Sequence, residues 1–182
     1  MVGIVISQEI LVVAYANNVS VVNQSEKVGQ FLEFHLANLV RNIRASYDNE
    51  DTVQSLTVNA VETVTIYYIL IDFPHSFRLL ELSGYIGSVL KSFDEESQAS
   101  KYASDYSEIV GDCFRKQLDM LDIDHCLNGL ESLDATALSF VLRAAHRTVP
   151  NRLQDLVRVA QTKGTFNKVI ETYESCASRG FR

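Results

Sequence analysis

The chain is nearly free of helix breakers, and this restricts its fold more than any other feature. It has 182 residues and only two prolines, Pro74 and Pro150, and no glycine lies between Gly29 and Gly84. A β-sandwich or barrel needs turn residues about every 8–12 positions. Their absence predicts long helices, and the fold class expected is all-α: an irregular multi-helix bundle or stacked helical hairpins.

Hydrophobic spacing places the elements. Residues 25–45 carry Val28, Phe31, Leu32, His35, Leu36, Leu39, Val40 and Ile43 at helical intervals, with Ser25 as the expected N-cap. Residues 53–71 are ambiguous. Val53, Leu56, Ala60, Val64, Tyr67 and Ile71 fit a helix, while Leu56, Val58, Ala60, Val64, Ile66, Tyr68 and Leu70 also alternate as a strand would. The helix is preferred because no turn residue sits near Glu62 to close a hairpin. Residues 1–22 share the ambiguity. The alternative fold is therefore α+β, with strands in 1–22 and 53–71 and a helical C-terminal half.

The remainder reads as helix throughout. Residues 75–93 form one helix and residues 102–121 another of about five turns, the latter striped by Tyr106, Val110, Cys113 and Phe114. A short helix through Cys126, Leu127 and Leu130 follows. Asp134 caps the next, which stops before Pro150. Asn151 is expected to cap a further helix ending at Gly164, and Thr165 to open the last. Short loops make neighbours antiparallel. Residues 1–182 are read as one helical domain, with a subdivision into 1–93 and 98–182 as the alternative.

Charge is divided unevenly along the chain. From Arg143 onward, eight basic residues stand against Asp155, Glu171 and Glu174, a net +5 within a protein of net −7. The preceding 142 residues therefore carry −12. Such asymmetry predicts an electropositive face that meets an acidic protein partner, a nucleic acid, or the acidic body of another copy or of the same chain. The candidate partner-binding residues are Arg143, Arg147, Arg152, Arg158, Lys163 and Lys168. Arg143 and Arg147 are four apart and share a helix face. Arginine suits bidentate pairing with carboxylate or phosphate.

Catalytic and metal motifs are weak. Asp119, Asp122, Asp124, His125 and Cys126 are ligand types, but their spacing does not form an EF-hand, and one His–Cys pair does not make a zinc site. Neither HExxH nor GxSxG occurs. The pair Gly84 and Gly87 fits no phosphate loop, and close helix packing explains it better. Tyr67, Tyr68, Tyr102, Tyr106 and Phe114 form an aromatic band expected to lie in the core or at its edge. Cys113, Cys126 and Cys176 are widely spaced and odd in number, as expected of buried, reduced thiols in a cytoplasmic or nuclear protein. No apolar run reaches the roughly 18–20 residues that span a bilayer. The apolar start lacks a basic region and is interrupted by Glu9, so no signal peptide is expected.

These features predict a non-catalytic interaction or adaptor subunit without cofactor, metal or small-molecule substrate. Its partner is expected to be a protein or a second copy. The alternative is an RNA- or DNA-binding accessory factor that contacts phosphates through the same basic residues.

Overall fold

Eight α-helices account for most of the described chain: α1 (Val21–Ala45), α2 (Glu50–Leu70), α3 (Phe77–Leu90), α4 (Ala103–Met120), α5 (Ile123–Ser132), α6 (Ala135–Thr148), α7 (Pro150–Lys163) and α8 (Asn167–Ser178). A single 3-10 turn, Ala99–Tyr102, leads into α4. The computed structural model describes the backbone of residues 21–70 and 76–182, with side chains from 29–65 and 76–182. No strand occurs among the described residues. The all-α reading holds, and the strand alternative for 53–71 is overturned at every described position. The corresponding alternative for 1–22 lies outside the described residues, except for the helical Val21 and Val22.

Helix α2 shows why its sequence was ambiguous. It packs against α1, α3 and α4, so Thr57, Asn59, Ala60, Val61, Thr63 and Val64 are all buried around a broad arc. An element covered on several sides shows no clean apolar stripe. Its threonines do not force a strand either. The Thr57, Thr63 and Thr65 hydroxyls donate to the carbonyls of Val53, Asn59 and Val61, at 2.7, 2.8 and 2.9 Å. Asn49 caps the helix, its Oδ1 accepting from the Thr52 N–H at 3.1 Å, and Glu50 and Asp51 occupy the first turn.

Several helix starts differ from expectation. Helix α1 already includes Val21, so Ser25 lies inside it and not at its N-cap. Phe31 is exposed because the buried line of α1 runs through Leu32, Leu36, Leu39, Val40 and Ile43 instead. Asn151 does not cap α7. Pro150 takes the first helical position, where its missing N–H costs nothing, and Val149 makes no side-chain cap bond. The expected caps at Asp134 and Gly164 are present. Asp134 accepts from the N–H groups of Thr136 and Ala137, and Gly164 adopts φ +65°.

The start of α8 is served from a distance. Thr165 does not open it; the helix begins at Asn167, and Phe166 at the cap position offers no side-chain bond. The Glu131 carboxylate of α5 accepts from the N–H groups of Lys168 and Val169, at 3.3 and 3.1 Å. A carboxylate here satisfies orphan donors and favours the positive helix end. Glu131→Ala is expected to cost about 1 kcal/mol or slightly more. Urea denaturation followed by circular dichroism checks this, and an unchanged midpoint would show the cap to be energetically idle.

Helix α6 is central. It packs on α3 and α4, and α7 and α8 lie against it as well. Ala137, Leu138, Phe140, Val141, Leu142, Ala144 and Ala145 are all buried along it. Each large apolar side chain so buried contributes about 1.5–3 kcal/mol. The glycine pair explains the α3–α6 approach. A Cβ on Gly84 would lie 2.7 Å from the Ala137 carbonyl oxygen, and one on Gly87 would lie 2.2 Å from the Phe140 ring. Tyr106 of α4 is fully buried and donates its hydroxyl to the Ser83 carbonyl of α3 at 2.8 Å. Burial raises its pKa far above the usual value, so it remains a donor. Buried side chains from Leu32 of α1 to Val169 of α8 form one cluster. Among the described residues no helix is long and apolar enough to cross a membrane.

Candidate functional site

The six basic residues singled out by sequence occupy three settings. Arg143 and Arg147 lie on α6, while Arg152, Arg158 and Lys163 lie on α7, and Lys168 falls in the first turn of α8. The α7 residues are each held by an acid of the same chain. Arg152 pairs with Asp119, Lys163 with Asp124, and Arg158 with Asp155 at 3.2 Å. Arg115 also reaches Asp112 and Asp119, at 3.2 and 3.8 Å. These exposed pairs contribute little stability, about 0–1 kcal/mol each. Their larger effect is to reduce the positive field that α7 presents.

This pairing also accounts for the acidic cluster. Asp119 and Asp124 are engaged by α7 cations, and Asp122 caps α5 by accepting from the His125 N–H at 2.8 Å. Cys126 is buried; burial pushes its thiol pKa up, Asp122 adds to the rise and Arg152 opposes it. His125 stacks on Phe77, with centroids 6.2 Å apart. All three cysteines are buried thiols and none forms a disulfide. Among the described residues no group of three or more His, Cys, Asp or Glu side chains is arranged to hold a metal ion. In the aromatic band, Tyr106 and Phe114 are core and Tyr102 is half-buried, while the side chains of Tyr67 and Tyr68 lie outside the described ones.

Arg143 and Arg147 stand apart from this neutralised surface. No carboxylate among the described residues pairs with either. Arg143 Nη2 donates to Ser139 Oγ at 2.8 Å, and its buried Nε has no hydrogen-bond partner among the described residues. Arg147 Nη2 donates to Ser104 Oγ at 3.4 Å. The structure adds a third cation that the sequence did not single out, Lys91, just past the end of α3. Its Nζ lies 5.8 Å from the Phe140 ring centroid. Burial lowers the Lys91 pKa, and the positive charges of Arg143 and Arg147 lower it further, against an opposing effect of Cys176. Between α3 and α6 lies a cleft of about 330 Å³, lined by Lys91, Arg143, Phe140 and the hydroxyl residues Ser88, Thr136 and Ser139.

The chain terminus packs beside this face. Gly180 and Phe181 both adopt positive φ, 69° and 55°, and their N–H groups bond back to Ala177 and Cys176 at 2.9 and 2.8 Å. This fold-back stacks Phe181 on His146 of α6, with centroids 3.7 Å apart and planes 3° apart. Tyr173 meets the same ring edge-on at 5.4 Å.

Other clefts are electrically different. One of about 310 Å³ between α1 and α3 has Arg41, Arg44 and Arg78, but also Glu81 and Asp134. Arg78 pairs with Glu81, and Arg44 lies over the Tyr85 ring at 4.4 Å. A shallow one of about 590 Å³ carries Glu50, Asp51, Asp94 and Glu96. Comparison with protein-family models, curated protein sequences and solved structures finds no match to this chain.

Proposed function

We propose that this protein is a non-catalytic interaction subunit, an adaptor that captures an acidic segment of a protein partner on the α3–α6 face. The observation behind this reading is the contrast between two sets of cations. Arg152, Arg158 and Lys163 are neutralised by the chain's own aspartates, whereas Lys91 and Arg143 line one cleft without a carboxylate, and Arg147, one turn further along α6, pairs with none among the described residues. Charges left uncompensated on a surface steer association and set specificity. Binding along a nucleic-acid backbone would call for a longer row of free cations, and α7 does not present one. Three buried thiols agree with a cytoplasmic or nuclear setting.

The test is affinity capture from native extract, with nuclease treatment, using wild type beside Arg143→Glu/Arg147→Glu and an Arg115→Glu control. The expected result is a defined, nuclease-resistant protein partner that the double variant loses and the control retains. Nuclease-sensitive material would favour nucleic acid instead. Identical captures from all three proteins would sink the assignment of this face.

A further inference from the structure

We infer that the cleft between α3 and α6 is a seat for one phosphate monoester, presented as a phosphoserine or phosphothreonine of the partner and held by Lys91, Arg143 and the hydroxyls lining the cleft. This rests on the adaptor reading and specifies its ligand. A phosphate monoester carries about −1.5 to −2 charges at neutral pH and three strong acceptor oxygens. Ser88, Thr136 and Ser139 supply hydroxyl donors beside the two cations, and no carboxylate lines the cleft to compete.

One further feature favours an anion there. Burial is the main cause of the lowered Lys91 pKa, and the positive charges of Arg143 and Arg147 lower it further. A dianion placed beside Lys91 and Arg143 offsets this positive field more than a single carboxylate does. The α7 cations already hold Asp119, Asp124 and Asp155. Helix α7 therefore adds no row of free cations for a nucleic-acid backbone, and the cleft suits one phosphate group on a peptide.

The full isotopically labelled chain is titrated at constant ionic strength and followed by amide chemical shifts. The probes are inorganic phosphate, a short acidic peptide carrying one phosphoserine, the same peptide unphosphorylated, and a single-stranded RNA oligonucleotide. Saturable shifts are expected around residues 88–91 and 136–143 with phosphate and with the phosphopeptide. The phosphopeptide is expected to bind about tenfold or more tightly than its unphosphorylated form, the gain from one added charge-assisted contact. Lys91→Gln and Arg143→Gln should each weaken the phosphopeptide about tenfold, and Arg115→Gln should not. Lys91 is a surface residue beyond α3, so Lys91→Gln tests the seat even if Arg143→Gln unfolds.

Equal affinity for the two peptides overturns the phosphate seat. If that common affinity still depends on Arg143 and Arg147, the adaptor reading stands without it. Tighter binding of RNA than of phosphopeptide, with shifts spreading along α7, also overturns it. An absence of saturable shifts with all four probes, together with unchanged partner capture, removes both readings.

Discussion

Phe140→Ala is expected to lower the free energy of unfolding by about 3–5 kcal/mol, the usual cost of deleting a buried aromatic ring. Urea denaturation monitored at the helical circular dichroism band measures it. The ring is 2% exposed and fills the notch above Gly87. It also lies 6.0 Å from the Tyr106 ring and 5.8 Å from Lys91 Nζ. Removing it empties the α3–α6 seam at its middle. Gly87→Leu alone is expected to be destabilising too, because its Cβ would begin inside the space of that ring. The two changes contend for one volume, so the double variant should lose less than the sum of the singles, by about 1 kcal/mol or more. Additive losses would show that the two positions do not share that space. The ring also forms one wall of the proposed phosphate seat, so weakened phosphopeptide binding by Phe140→Ala requires the folded fraction to be measured alongside.

Gly84→Leu is the second large effect, with an expected loss of about 3 kcal/mol or more, at or above the upper end for overpacked cores. A Cβ at Gly84 would stand 2.7 Å from the Ala137 oxygen and 3.0 Å from the Ala137 Cα. These are backbone atoms, and unlike a ring they cannot rotate aside. Helices α3 and α6 must therefore separate, disturbing a contact that includes Leu80, Ile86, Leu138 and Val141, all fully buried. Replacing glycine within an unobstructed helix has the opposite sign, a gain approaching 1 kcal/mol with alanine. A midpoint equal to or above wild type would contradict the close-packing account of this seam.

The sequence disclosed local features and left the long-range ones hidden. The Gly84/Gly87 pair already suggested a tight helix contact, and the Asp134 and Gly164 caps followed from residue type alone. Arg143 and Arg147 were placed on one face by their spacing of four. Helix α2 stayed ambiguous because its neighbours bury it on several sides, which erases the single stripe from which a helix is recognised. The fate of the basic C-terminal third was not legible, because its partners come from elsewhere in the chain. Asp119 lies 33 positions before Arg152, and Asp124 lies 39 before Lys163. Lys91 gave no signal of its own. A lysine at a helix end is ordinary, and only the fold brings it to Arg143. The same holds for Glu131, whose service to α8 depends on tertiary packing and not on any local cap pattern.

The central position of α6 bears on the order in which the protein can be completed during synthesis. Helices α3 and α4 leave the ribosome before α6, yet both need α6 against them to cover their notched and apolar faces. At translation speeds of about 5–20 residues per second, that interval lasts seconds, far longer than a helix takes to form. For that time the apolar faces of these segments lack the helix that covers them, and without such packing short helices are only marginally stable. Chaperones that bind exposed leucine and phenylalanine therefore have their longest opportunity before α6 emerges, and arrival of this one helix closes it.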